Sequence, residues 1–333
     1  MPRPTREVRL VRRPVGLPDP SDFELVDVTL PDPEDGQILV QNTHLSVDPY
    51  MRPRMDGVRT YIDPYELGQP MDGGAVGRVL VSRSDRVPEG AWVAHQAGWR
   101  EHALVRDRAA TLIDVDGVKP SVHLGLAGMP GFTAWTALAS VGALQPGETV
   151  FVSACAGAVG SAAGQLARTL GADRVIGSTR STEKAARAVR EFGYDAVVVP
   201  GDVPLEEQLR RAAPQGVDVV VENVGGEVLA AALDVMNDFG RMALCGAVSG
   251  YNESPRATGN LFQAVQKRLL LRGFIVTDHW AQFREYRTLA LEGLRAGTLV
   301  AVDTETCGLE SAPEAFRALF SGMHVGKMIV ALQ

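Results

Sequence analysis

Residues 153–164 read SACAGAVGSAAG, with Gly157 and Gly160 three positions apart. The apolar run TVFVS at 149–153 leads in. An Ala/Leu-rich stretch to about residue 170 leads out, its apolar residues spaced by three and four. Strand, glycine-rich turn and helix in that order suit a pyrophosphate: glycine lets the backbone come close, and the helix start offers N–H donors and a positive dipole end. In the usual fingerprint Cys155 takes the place of the first glycine, and Gly157 and Gly160 those of the second and third. Taken alone, the run also describes a helix start that merely packs tightly on its strand. The alternation of strands and helices that follows favours a dinucleotide.

Cofactor choice is read at the end of the next strand, where 177–184 reads GSTRSTEK. An NAD site usually places Asp or Glu there to hold the ribose 2′-hydroxyl. This segment offers Ser178, Arg180 and Lys184 instead, a hydroxyl and two cations suited to a 2′-phosphate. The same residues also make an ordinary helix start, with Ser181 or Thr182 as N-cap and Glu183 in the first turn, and the two roles are compatible. The expected cofactor is NADP(H).

Other chemistries find little support. Six scattered histidines, with no H-E-x-x-H and no paired cysteines, give no metal constellation. The three cysteines form no C-x-x-C pair and no disulfide framework, which suits a reducing compartment. A formal charge of −7 argues against nucleic acid as a partner. The apolar runs are too short to span a bilayer, and the Arg-rich start lacks a following apolar region, so the expected location is the cytoplasm. No Ser/His/Asp or paired-carboxylate set stands out, as expected where a cofactor carries the reaction.

These residues need a frame. Up to about Gly128 the sequence alternates short apolar runs (37–42, 75–82, 90–94) with Pro, Gly and Asp, the pattern of a small β-rich barrel. From 149 to 245, β-branched runs at 149–153, 174–178, 196–199, 217–221 and 241–245 alternate with helical stretches at 157–170, 182–192, 205–213 and 226–236. That alternation predicts a doubly wound parallel sheet. The tail from about 299 returns to short strands and one amphipathic helix near 312–320. The expected domains are 1–128 with 299–333, and an inserted nucleotide-binding domain over 129–298.

Several longer motifs appear in a fixed order: LSVDPYMR (45–52), GMPGFTAW (128–135), SACAGAVGSAAGQLA (153–167), ENVGG (222–226), CGAVSGYN (245–252), RGFIV (272–276) and VGKMIV (325–330). Together they resemble the zinc-independent medium-chain dehydrogenase/reductases, specifically the prostaglandin reductase, 2-alkenal reductase and curcumin reductase group. The resemblance spans nearly the whole chain and implies a GroES-like β-barrel with an inserted Rossmann domain, the active site lying between them. Zinc-dependent relatives carry a cysteine about where Ser46 sits and a Gly-His-Glu segment near 71–73; this chain has neither.

By resemblance, Gly157, Ala158, Val159 and Gly160 would contact the pyrophosphate and Lys184 the 2′-phosphate. Asn223, the loop carrying Cys245, Gly246, Ala247 and Tyr251, and Phe274, Ile275 and Val276 would surround the nicotinamide half. Pro200 replaces a tyrosine common near the adenosine phosphate, and His324 replaces an asparagine. Tyr251 is the catalytic candidate, its phenol placed to steady charge on an enolate; otherwise it packs on the cofactor. Tyr50 and Arg52 would face substrate, although an arginine there more often forms a structural ion pair. The implied reaction is NADPH-dependent reduction of the C=C bond of an α,β-unsaturated ketone or aldehyde. A zinc-free quinone reductase and a non-catalytic NADPH-binding regulator are the alternatives. Relatives of this group are usually homodimers, and the apolar strand LLLRGFIV (269–276) near a sheet edge would serve such an interface.

Overall fold

The computed structural model describes residues 3–252 and 260–332. The chain divides into two compact units, Met1–Leu124 with Asp303–Gln333 and Gly125–Val302. The first begins with an antiparallel hairpin of β1 (Arg3–Leu10) and β2 (Phe23–Leu30). Then come β3 (Gln37–Ser46), the short helix α1 (Met51–Arg54), β4 (Ala75–Ser82), β5 (Trp92–His95), β6 (His102–Arg106) and β7 (Thr111–Leu112). Strand β3 is the organiser. Its register against β4 slips between Asn42 and His44, and such a bulge re-aims a strand. Residues Gln37–Gln41 pair with β6, and beyond the slip the strand turns to a different partner.

The second unit opens with α2 (Met129–Trp135), which runs into a π-helical turn, Thr136–Val141. A Cβ on Gly131 would lie 1.9 Å from the Leu126 carbonyl oxygen and 2.1 Å from the Tyr286 hydroxyl, so only glycine fits. The tyrosine donates to that same carbonyl; Phe132 and Trp135 pack against its ring, and Phe283 packs on Phe132. There follow β8 (Thr149–Val152), α3 (Ala158–Thr169), β9 (Arg174–Ser178), α4 (Thr182–Glu191), β10 (Ala196–Val198), α5 (Leu205–Ala212) and β11 (Val217–Glu222). The unit continues with α6 (Gly226–Val235), β12 (Met236–Leu244), α7 (Phe262–Gln266), β13 (Leu270–Gly273) and α8 (Phe283–Ala296). The sheet order is β10-β9-β8-β11-β12-β13, with every pairing parallel. Counted from β8, this is the order 3-2-1-4-5-6 of a doubly wound dinucleotide-binding fold. All four residues of β8, and Val217, Val219, Val220 and Val221 of β11, are buried, because helices cover both faces.

One strand departs from its expected bounds. The run expected at 241–245 begins at Met236, because an irregular segment precedes it. Val217 pairs with Met236 and Val219 with Arg241, so the partner strand bulges. Phe239 takes up the slack at φ 63° and gives its N–H to the Lys267 carbonyl. That strand does not end the sheet either, since β13 lies outside it.

The chain closes with β14 (Asp303–Cys307), α9 (Ala312–Ser321) and β15 (Lys327–Ala331). Strand β15 pairs with the second half of β3, so the last segment completes the first unit's sheet. Trp99 sits at the centre of that unit's core, against Phe23 and Phe316, and donates its indole N–H to the Ser46 carbonyl at 3.2 Å. The fold is thus a sheet-rich unit interrupted by a doubly wound parallel one, as the motifs imply. Among the described residues no helix is long and apolar enough to cross a membrane.

Candidate active site

Because every strand of the second unit runs the same way, the segments leaving β8, β9, β11, β12 and β13 emerge at one edge of the sheet. The glycine-rich turn leaves β8, residues 179–184 leave β9, Asn223 leaves β11, Cys245 leaves β12 and Phe274 leaves β13. The strand order reverses between β8 and β11, which is where ligands settle in such sheets.

Helix α3 begins at Ala158, with Gly157 as its N-cap. Helix geometry leaves its first N–H groups, including those of Ala158, Val159 and Gly160, without acceptors inside the helix. A Cβ on Gly157 would have the Ala154 carbonyl oxygen 3.4 Å away as its nearest neighbour, so the space above this residue is open to a ligand. Gly160 faces the protein. There a Cβ would sit 2.3 Å from the Ala154 oxygen and 2.6 Å from the Cys155 Cα, so the helix start lies against the turn as only glycine permits. The Tyr194 hydroxyl pins the same point from below, donating to the Gly160 carbonyl at 2.6 Å.

Cys155 stands where glycine is usual, and the neighbouring strand makes room for it. A Cβ on Gly177 of β9 would meet the Cys155 sulfur at 2.8 Å. The glycine requirement has moved from the turn to the strand beside it. Burial pushes the Cys155 thiol up to about 12, so it packs as a neutral thiol.

At the end of β9, Ser178 is buried, Arg180 is exposed and Lys184 is half-buried in the first turn of α4. Ser181 caps that helix, accepting the Lys184 N–H. Burial holds the Lys184 ammonium below its usual range, and the nearby Arg180 charge lowers it further. Two cations set close together are relieved by an anion between them.

Asn223 ties the strands beside the reversal point together. Its backbone N–H reaches the Ser153 hydroxyl at 2.7 Å and its side-chain amide the Ser153 carbonyl at 2.9 Å. Cys245 is half-buried, and Gly246 lies under the Tyr251 hydroxyl: a Cβ there would be 3.4 Å from the Asn223 oxygen and 3.5 Å from the Tyr251 oxygen. Burial pushes the Tyr251 phenol above its usual range, against a hydrogen bond that the Ala247 N–H donates to its oxygen, so it keeps its proton at neutral pH. Ala247 is exposed, and Phe274, Ile275 and Val276 are partly buried beyond β13.

Tyr50 and Arg52 belong to the first unit. Tyr50 packs against its core. The Arg52 guanidinium is buried, donating to the Gly16 carbonyl at 3.0 Å and pairing with Asp56. Ser46, at the position of a zinc-binding cysteine in other relatives, donates to Asp48, which pairs with the buried Lys327 ammonium at 3.2 Å. The ammonium also donates to the Val47 and Met328 carbonyls. These residues already hold a buried cation and do not fit a zinc centre. Among the described residues no group of three or more His, Cys, Asp or Glu is placed to hold a metal. Reading the sequence by motif missed this Asp48–Lys327 pair, although both residues lie within quoted motifs. It also missed Glu222, whose signal was a lone carboxylate closing an apolar strand.

Comparison with known proteins agrees with this geometry. Residues 6–113 match the family described as N-terminal domain of oxidoreductase, and residues 158–292 the one described as zinc-binding dehydrogenase. The chain belongs to the medium-chain dehydrogenase/reductases, within the group of prostaglandin, 2-alkenal and curcumin reductases. It is 38% identical to a putative NADP-dependent oxidoreductase of Bacillus subtilis, over 98% of this chain and 97% of that one. It is also 38% identical to a 2-alkenal reductase (NADP(+)-dependent) of Nicotiana tabacum, over 98% and 96%. The crystal structure of CurA in complex with NADPH from Vibrio vulnificus superimposes with a TM-score of 0.92 at 34% identity, covering 98% of this chain and 99% of that one. The protein is an NADP-dependent oxidoreductase.

The two glycines should separate fold from binding. Gly157→Ala should leave the melting temperature within about 2 °C but raise the NADPH dissociation constant at least about tenfold, since its Cβ enters only the ligand's space. Gly160→Ala should lower both stability and affinity. Calorimetry and a fluorescence titration check this; unchanged NADPH affinity in Gly157→Ala would remove that residue from the cofactor site.

Proposed function

We propose that the chain reduces the C=C double bond of α,β-unsaturated ketones or aldehydes, with hydride delivered to the β-carbon. The observation that carries this reading is the protonated Tyr251 hydroxyl above Gly246 and Asn223, at the sheet edge that bears the phosphate loop. NADPH, when bound, supplies the hydride. The free N–H groups of Ala158, Val159 and Gly160 would take its pyrophosphate, with Gly157 giving it room while its own N–H is spent on the Ala154 carbonyl, and Ser178, Arg180 and Lys184 would gather round the 2′-phosphate. Asn223, Cys245, Gly246, Ala247, Phe274, Ile275 and Val276 line the nicotinamide half.

Hydride addition to the β-carbon of an enone leaves negative charge on the carbonyl oxygen. A neutral phenol donates a hydrogen bond to that oxygen, and a fixed donor favours the charged state over the neutral substrate. The α-carbon of the enolate then takes a proton from water or from the Tyr251 hydroxyl, which solvent reprotonates, so positioning and a fixed dipole lower the barrier with no strong base needed. The 38% identity to a 2-alkenal reductase supports the same substrate class. Of the two first-unit candidates, Tyr50 keeps its place as a substrate contact, because the Arg52 guanidinium is committed to Gly16 and Asp56. The free cysteines suit a cytoplasmic setting.

We also propose that the chain forms a homodimer through the edge of the parallel sheet. Among the described residues strand β13 pairs on one side only, and Phe239, Phe262, Val265 and Leu270 are each more than half exposed on the same unit. An apolar strand edge of this kind is normally covered.

Steady-state NADPH oxidation with a small enal, a small enone and a quinone tests the activity. The expected kcat/KM for the enal or enone exceeds that for the quinone at least about tenfold, with the product's carbonyl intact. A faster quinone, or an allylic alcohol as product, contradicts the assignment. Light scattering at micromolar concentration should give the mass of two chains, and a monomer would remove the dimer.

A further inference from the structure

Glu222 is the last residue of β11 and is fully buried. One of its carboxyl oxygens accepts the N–H groups of Val224 and Gly225 at 2.7 and 2.6 Å. The other is buried and makes no hydrogen bond among the described residues. Among the described residues no cation is paired with the group, and burial pushes its pKa upward against the two N–H donors and the nearby Ser153 hydroxyl. The accepting oxygen acts as a fixed hydrogen-bond anchor for the turn that follows.

What it anchors matters. The 223–226 turn is conformationally demanding, with Gly225 at φ 80° and Gly226 at φ 56°. Its free carbonyls hold the next loop. Asn223 accepts the Val248 N–H at 3.2 Å, and Val224 accepts both the Ser249 N–H at 3.0 Å and the Ser249 hydroxyl at 2.6 Å. The backbone of Glu222 itself accepts the N–H groups of Cys245 and Gly246 at 2.8 and 3.3 Å. Tyr251 follows directly, its N–H reaching the Val248 carbonyl at 3.4 Å. An unbroken chain of hydrogen bonds thus runs from one carboxyl oxygen, through the turn, to the segment that carries the phenol.

We propose that Glu222 is a positioning residue for Tyr251, setting the place of the phenol through the 223–226 turn and the 245–251 loop. The inference rests on the reading of Tyr251 as the donor to the substrate oxygen. Glu222 touches neither cofactor nor substrate in this role; it fixes the angle at which the phenol arrives. Its removal should therefore slow hydride transfer and leave the phosphate end of the cofactor site intact.

A double-mutant cycle tests this, reading single-turnover hydride transfer from saturating NADPH to a small enone, with NADPH affinity alongside. Tyr251→Phe should slow transfer about a hundredfold. Glu222→Leu should slow it at least about tenfold while NADPH affinity changes less than about fivefold, and Glu222→Gln, which keeps an acceptor oxygen, should recover most of the loss. The double variant Tyr251→Phe/Glu222→Leu should be within about threefold of Tyr251→Phe alone, since the anchor has nothing left to place. Fully additive losses overturn the Glu222 proposal and leave the Tyr251 reading standing. Wild-type transfer in Tyr251→Phe fails the Tyr251 reading, and the proposal falls with it. If Glu222→Leu does not fold, Ser249→Ala takes its place in the cycle, as its hydroxyl is exposed and bonds to Val224. It should slow transfer at least about threefold in the wild-type background and not at all with Tyr251→Phe. An unchanged rate in the wild-type background overturns the proposal.

Discussion

The close approach of helix α3 to the turn behind it governs the cofactor end of this protein. At Gly160 the helix lies so near the Ala154 carbonyl that no side chain fits, and Tyr194 holds it there. That contact aims the free N–H groups of the first turn outward over Gly157, where the surface is bare. A helix start binds phosphate only if its donors converge and nothing stands in front of them. Both conditions follow from two glycines with opposite duties, one facing the protein and one facing the ligand.

The rest of the second unit extends that arrangement across the sheet. Parallel strands bring their ends to one edge, so groups distant in sequence come together without any long-range contact designed for each. The end of β9 gains two mutually repelling cations, proposed above for the adenosine phosphate. The loop after β12 gains a phenol kept neutral by burial, proposed above for the nicotinamide end. Between them Asn223 locks the ends of β8 and β11 together. The first unit shows the same economy in a different chemistry: the buried Lys327 ammonium joins β15 to the end of β3 through Asp48 and two carbonyls. Breaking such a pair on one side costs about 3–5 kcal/mol, so the geometry around Ser46 and Tyr50 is firmly held.

Much of this was legible in the amino-acid order, for a physical reason. Glycine spacing, β-branched runs and the N-cap at Ser181 are backbone requirements, and such requirements show in residue type. The doubly wound parallel sheet, though not its strand order, followed from the alternation, and the expectation of NADP(H) from Arg180 and Lys184 in a segment where a carboxylate would hold a ribose. Four features were not legible. Cys155 looked like a flaw in the fingerprint until Gly177, on a different strand, was seen to leave room for it. The early start of β12 depends on Phe239 at positive φ, which no periodicity marks. Arg52 forms the structural ion pair that an arginine in such a motif more often makes, but its partners, Gly16 and Asp56, are recognisable only once the chain is folded. Glu222 belongs with these: its importance lies in which N–H groups it meets, and residue type does not encode that.

Recognition of the adenosine phosphate is proposed to rest on Arg180 and Lys184. The most direct measurement is the dissociation constant of NADPH and of NADH for the wild type and for the Arg180→Ala/Lys184→Ala variant, by fluorescence titration at fixed low salt. Each charge-assisted contact to a phosphate contributes roughly 1.5–3 kcal/mol, so the NADPH constant should rise on the order of a hundredfold or more. The NADH constant should move less than about threefold, because that ligand carries no 2′-phosphate for the two cations to meet. Equal losses for the two cofactors would contradict the account.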